Sequence, residues 1–139
     1  MATISDEARA FLDNRHRFAV LATVNPDGTP QQTVMWFLLR GDQVVMNTKR
    51  GRRKDRNLLR DPRVSICVED GYRYVTLAGR VTLVEDEATT QADIKELATR
   101  YHGPDRGEQM ARDYFSRDAR VSIYLDVDHV DARGLGEDE

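Results

Sequence analysis

The 139-residue sequence predicts a mainly β fold with short helices, an α+β arrangement in which six antiparallel strands form a small closed or nearly closed barrel. Three observations predict it. Apolar and polar residues alternate with a period of two along most of the segments between 18 and 133. The turn tetrads "NPDG" at 25–28 and "RGDQ" at 40–43 part neighbouring runs closely enough for a meander. Helical periodicity is confined to short stretches, and closing a meander into a barrel removes its exposed edges.

The opening "SDEARAFLDNR" is predicted helical: Ser5 caps it, Asp6 and Glu7 suit its positive N-terminal end, and Ala8, Phe11 and Leu12 make one apolar stripe. Strands follow at 18–24, 31–40 and 43–47. In the first turn Pro26 presets the second position and Gly28 accepts a positive φ. Two more strands are predicted at 63–70 and 72–86, the latter long enough to bend at Gly79, as barrel corners do. "TTQADIKELATRYHG" turns helical, with Ile94, Leu97, Ala98 and Tyr101 on one face and Gly103-Pro104 as its stop. A second short helix in "RGEQMARDYFSR" turns Met110, Tyr114 and Phe115 inward. The last strand, 119–133, alternates Val121, Ile123, Leu125 and Val127 with Ser122, Tyr124, Asp126 and Asp128. One domain is expected over 1–133, followed by a flexible acidic tail at 134–139.

Composition narrows the function classes. With 40% hydrophobic and 32% charged residues, the chain suits an ordinary globular protein. No run approaches the roughly 18 consecutive apolar residues of a membrane span. The N-terminus is too polar for a secretory signal, so a cytoplasmic location is expected. The single cysteine, Cys67, lies in the apolar run "VSICV" and reads as a buried, inert thiol. His16, His102 and His129 are scattered without partners at ligand spacing, so no metal site is expected. No P-loop, G-x-S-x-G or G-x-G-x-x-G motif occurs; any redox chemistry must come with an added cofactor.

One strand is apolar on both faces. In "TVMWFLL", Val34, Trp36 and Leu38 point one way while Met35, Phe37 and Leu39 point the other. A barrel interior absorbs one face, so the other must meet a helix or a second subunit, and a symmetric homodimer is expected.

The segment "TKRGRRKDRNLLRDPR", 48–63, packs Lys49, Arg50, Arg52, Arg53, Lys54, Arg56, Arg60 and Arg63 into a chain whose net charge is −3. It lies where a strand ends and a helix over 52–60 begins. Helix N-termini attract anions, and Arg50 and Lys54, four residues apart, would flank the same spot, which suits a phosphate. The plain alternative is a solvated helix face with Leu58 and Leu59 for packing. Nucleic acid is disfavoured, because Asp55, Asp61, Glu69 and Asp70 interrupt the field and no reading-head motif is visible.

"LATVNPDGTPQ", the two-faced strand after it, and the pattern Lys54, Asn57, Leu58, Asp61, Pro62, Arg63, Val64 together resemble the pyridoxamine 5′-phosphate oxidase-like split-barrel superfamily. Within it the chain is most similar to the flavin/deazaflavin oxidoreductases of class B. The resemblance covers nearly the whole chain and implies an FMN-binding-protein-like split β-barrel. It also implies a homodimer with two cofactor sites at the subunit interface. Carried over by position, it puts the cofactor ring beside Gln32, Thr33, Val34 and Trp36, and beside Asn47 and Thr48. The phosphate would meet Lys49, Arg52, Arg53 and Lys54, with Asn57 supporting from the helix. Family members carry tryptophan where this chain has Tyr72 and Tyr74 in "GYRYV".

Two flavin-type cofactors suit that site. FMN ends in one phosphate, whereas coenzyme F420 continues beyond its phosphate into a carboxylate-bearing tail. Six basic residues from Lys49 to Arg56 exceed what one phosphate engages, which favours coenzyme F420. The implied activity is hydride transfer between the deazaflavin and a small conjugated acceptor, with no protein nucleophile and no catalytic residue identified. The alternatives are an FMN-dependent oxidase or reductase of the same fold, and a non-catalytic carrier of a flavin or heme-like ligand.

Overall fold

The computed structural model describes residues 2–135; the tail expected at 134–139 falls outside the described residues from 136 onward. The elements run α1 (Asp6–Leu12), β1 (Ala19–Val24), β2 (Pro30–Met35), β3 (Leu38–Arg40), β4 (Gln43–Lys49), α2 (Arg53–Arg60), β5 (Arg63–Asp70) and β6 (Arg73–Val84), then α3 (Glu87–His102), α4 (Pro104–Asp113), a 3-10 turn (Phe115–Arg117) and β7 (Arg120–Arg133). Turn chemistry acts as expected at "NPDG": the Asn25 and Gly28 amides close the loop on Thr29 and Asn25 carbonyls, with Gly28 at φ 89°.

All strands belong to one antiparallel sheet ordered β2-β1-β5-β6-β7-β4-β3, seven strands and not six. The extra strand arises because 31–40 does not run through: Trp36 and Phe37 leave the ladder, and β2 and β3 end up at opposite edges of the sheet. Since Met35 and Leu38 are separated by only Trp36 and Phe37, the two edges must curl back to within about 10 Å of each other. The result is a barrel that is split, not closed. A half-buried side chain secures the break: the hydroxyl of Tyr101 of α3 accepts the Phe37 amide at 3.1 Å and donates to the Arg17 carbonyl at 2.8 Å.

The strong curl has a second source at Gly79. The β6–β7 register shifts between Ala78 and Gly79, which pair with His129 and Val127, so Asp128 is an unpaired extra residue in β7. β7 therefore bends there and carries its first half across to pair with β4, Thr48 opposite Val121 and Lys49 opposite Arg120.

Inside the curl, Leu21, Phe37, Met46, Ile66, Leu77, Ile123 and Leu125 are fully buried, and Phe11 and Leu12 of α1 complete this core. A smaller cluster outside joins Leu38 and Val45 to Ile94 and Leu97 of α3, with Trp36 and Phe115 against it. The two-faced strand is thereby explained in part by a helix: Phe37 enters the main core, Trp36 and Leu38 meet α3, and Val34 stays 69% exposed. Tyr114, expected inside, is instead 51% exposed, because the helix ends at Asp113 and the chain turns. Cys67 is half-buried on β5.

Candidate functional site

A cleft of about 540 Å³ opens at the split. Val34, Met35 and Trp36 contribute from the end of β2, Asn47, Thr48 and Lys49 from the end of β4, and Arg52 and Lys54 from the start of α2. Ile94, Met110, Phe115, Asp118 and Arg120 complete it from α3 through the start of β7. One side is apolar and flat. Trp36 stacks on Tyr101 with ring centroids 5.4 Å apart, and Phe115 meets its edge at 6.1 Å, so the indole is held in one plane.

The other side is cationic. Several cations of the 48–63 run are already engaged: Lys49 with Asp118 at 3.6 Å, Arg63 with Asp61 at 2.8 Å, Arg50 with Asp55 and Glu85, and Arg60 with the Val24 carbonyl and Asn57 Oδ1. Among the described residues, the side chains of Arg52, Arg53, Lys54 and Arg56 have no ion pair or hydrogen bond. Lys54 is only 8% exposed, and burial together with the charge of Arg52 holds its ammonium below the usual lysine range. Arg120, also largely buried, is lowered by burial; Asp118 pulls it back up and Arg52 lowers it again, leaving a net downward shift. Four cations, Lys49, Arg52, Lys54 and Arg120, thus share the cleft with one carboxylate, Asp118. The lining therefore has a net positive charge, which suits an anion.

The helix end itself offers less than the sequence suggested. Asp55, 1% exposed, accepts at 2.8 Å the amide of Gly51, which lies just ahead of the α2 N-cap residue Arg52. It also draws Arg50 away, so Arg50 and Lys54 do not flank one spot. Leu59 is 60% exposed; α2 is seated by Leu58 and by buried polar Lys54, Asp55 and Asn57.

Of the residues expected at a cofactor, Val34, Trp36, Asn47, Thr48, Lys49, Arg52 and Lys54 are brought together here. Gln32 lies on the same outward face of β2 as Val34, one pleat further on and outside the cleft. Thr33 points to the opposite face, its hydroxyl buried without a hydrogen-bond partner among the described residues. Arg53 and Asn57 line a separate cleft across α2, with Asn25, Pro26, Asp27, Arg56 and Arg60. Asn57 is occupied there: its amide donates to Thr23 Oγ1 at 3.0 Å and Asn25 Oδ1 at 3.1 Å, while its oxygen accepts from Arg60 at 3.1 Å. It fastens α2 to the end of β1. Asn57→Ala is expected to lower unfolding free energy by about 1–3 kcal/mol in urea titrations, with little effect on ligand affinity of the folded protein.

Arg120, Ile94, Met110, Phe115 and Asp118 were not legible as site residues. Arg120 is brought in by the pairing of β4 with β7, which sets it opposite Lys49 and which no local pattern encodes. Among the described residues, no group of three or more His, Cys, Asp or Glu side chains is gathered as for a metal ion. Among them also, no helix is long and apolar enough to cross a membrane.

A curled antiparallel sheet with a cation-rimmed cleft at its split defines the split-barrel class of flavin-binding oxidoreductase folds. The chain belongs to the pyridoxamine 5′-phosphate oxidase family, whose model matches residues 4–134. Similar solved structures include a conserved hypothetical protein, Rv2991, from Mycobacterium tuberculosis, 30% identical with a TM-score of 0.80 over 96% of this chain and 86% of that one. A protein described as an F420 reductase is 31% identical, with a TM-score of 0.69 over 86% of this chain and 93% of that one. The heme storage protein HutZ from Vibrio cholerae shares the fold at 19% identity, with a TM-score of 0.74 over 99% of this chain and 100% of that one.

Proposed function

We propose that this protein is a coenzyme F420-dependent oxidoreductase that transfers a hydride between the deazaflavin and a small conjugated acceptor. The observation that carries the reading is the pairing, in one cleft, of a flat apolar wall at Trp36 with unpartnered cations at Arg52 and Lys54. A planar ring bearing an anionic arm matches both halves. The similarity to an F420 reductase at 31% identity supports the deazaflavin over FMN.

In this reading Arg52, Lys54 and Arg120 hold the anionic arm through charge-assisted hydrogen bonds. Trp36, fixed by Tyr101, forms the wall for the ring, while Ile94, Met110 and Phe115 keep water from it. When bound, coenzyme F420 supplies the hydride from its central ring. The chain's own contribution is orientation and a dry, positive environment; no lining side chain is assigned a proton-transfer step.

The deciding experiment titrates the purified protein with coenzyme F420 and, separately, FMN, following ligand fluorescence. Coenzyme F420 is expected to bind at least about tenfold tighter, a difference of about 1.4 kcal/mol. Tight FMN binding with no deazaflavin binding would overturn the assignment in favour of an FMN enzyme. Binding without reoxidation of the reduced cofactor by any quinone or enone acceptor would point to a carrier.

A homodimer completes the proposal. β2 is an edge strand, and its exposed Val34 sits on the cleft rim, where a second protomer would cover both apolar surface and bound ring. Sedimentation equilibrium is expected to give twice the 15.9 kDa chain mass, and Val34→Asp to shift the population toward monomer. A wild-type protein that stays monomeric at high micromolar concentration sinks this part.

A further inference from the structure

Asn47 was expected to touch the cofactor ring, yet every polar atom of its side chain is already engaged within the protein. Its Oδ1 accepts Arg120 Nε at 2.6 Å. Its Nδ2 donates to the Thr90 carbonyl at 3.1 Å and to Ser122 Oγ at 3.2 Å. We propose that Asn47 is a positioning residue: locked by Thr90, Ser122 and Asp93, it fixes the guanidinium of Arg120 so that Arg120 is the deep anion-contacting residue of the cleft.

The chemistry of the partners fixes the direction of each bond. An ionised Asp93 can only accept, so Ser122, 2.7 Å away, gives its single proton to Asp93 Oδ2 and turns a lone pair toward Asn47. A backbone carbonyl also only accepts, so Thr90 demands the same Nδ2. Arginine only donates, so Oδ1 must face Arg120. Three neighbours of single polarity leave the Asn47 amide one orientation. Asp93 is itself held ionised: burial pushes its carboxyl up, but hydrogen bonds from Tyr124, Ser122 and Arg40 outweigh this and bring it below the usual carboxylate range.

Arg120 is correspondingly constrained. Nε is bound to Asn47, Nη1 lies 3.4 Å from Asp118, and the guanidinium sits 4.9 Å over the Phe115 ring. Nη2 has no hydrogen-bond partner among the described residues. A planar fork held at one edge and across one face presents its remaining donors in a set direction, which an unanchored lysine would not do.

The inference rests on the reading that the cleft takes an anionic cofactor, and its test separates the two. Coenzyme F420 affinity is measured for wild type, Asn47→Ala, Arg120→Ala and the double variant, each checked for cooperative unfolding. Asn47→Ala is expected to weaken binding about tenfold, since one buried hydrogen-bond partner is lost, and to cause no further loss once Arg120 is alanine. An equal loss in both backgrounds would mean that Asn47 touches the ligand directly, and the proposal fails. Independently of any ligand, the Arg120 Nε–H is expected to exchange slowly with solvent by 15N NMR in wild type and at least about tenfold faster in Ser122→Ala. Fast exchange in wild type, or no change in Ser122→Ala, overturns the positioning role. If wild type binds neither coenzyme F420 nor FMN, the cofactor reading and the assigned contact at Arg120 fall together, while slow Nε–H exchange would still uphold the lock on its guanidinium. Should Asn47→Ala fail to fold, Ser122→Ala takes its place in the affinity cycle, with the same outcomes expected.

Discussion

Lys54→Glu is expected to abolish cofactor binding while leaving the protein at least as stable as wild type. The two effects have one cause. Lys54 is buried beside Arg52 with no carboxylate of its own, and its ammonium is destabilised by burial and by that neighbour. Replacing it with a carboxylate removes a like-charge contact and supplies an internal partner for Arg52, so thermal stability should hold or rise. The same carboxylate would face the phosphate and tail of the ligand, exchanging attraction for repulsion, for a loss of about 3 kcal/mol or more, beyond a hundredfold in affinity. Lys54→Met, uncharged and similar in length, should lie between, with affinity down about tenfold and stability up. Fluorescence titration and thermal melts on the three proteins check both halves. Unchanged affinity in Lys54→Glu would remove the lysine from the site, and a large drop in stability would show that the buried ammonium has a structural role.

Gly79→Val is the second. A Cβ at this position would sit 2.0 Å from the Asp126 carbonyl oxygen and 3.1 Å from the Asp128 amide nitrogen, both main-chain atoms that no rotamer change can move. The close approach exists because the bulge presses β7 onto β6 at this point. Relief requires the bulge to open, which would disturb the bend that carries Arg120 and Ser122 to β4. Overpacking of this kind costs at least about 3 kcal/mol, a fall in melting temperature of roughly 10 °C or more for a chain of this size. Thr82→Val, on the exposed face of the same strand, is the control and should shift the melt by no more than a few degrees. A Gly79→Val melt close to wild type would mean that the bulge can open without cost.

How far the sequence reaches can be judged from particular residues. "NPDG" announced its turn because Pro26 and Gly28 act through their own φ angles. The alternation of 119–133 announced β7 because a sheet face has a period of two. The cations Lys49, Arg52 and Lys54 stand out because the basic run is nearly continuous in the chain, whereas Asn47 and Thr48 were placed beside them by the family resemblance. What stayed hidden depends on distant partners. The break at Trp36 and Phe37 looks like uninterrupted strand, since the hydroxyl that secures it belongs to Tyr101. Arg120 lies 73 positions from Asn47 and meets it only through strand pairing. The seating of α2 is hidden from hydropathy because Asp55 and Asn57 are buried by hydrogen bonds, and polar burial leaves no hydropathy signal.

The split at Trp36 and Phe37 also bears on how such a molecule diversifies. At Trp36 and Phe37 the backbone ladder has parted, so the side chain at Trp36 can be exchanged for a larger or smaller one without undoing any rung of main-chain pairing. Met110 of α4 and Phe115 of the 3-10 turn line the same cleft. The apolar wall at Trp36 can therefore vary apart from the cations at Arg52 and Lys54, which come from a different stretch of chain.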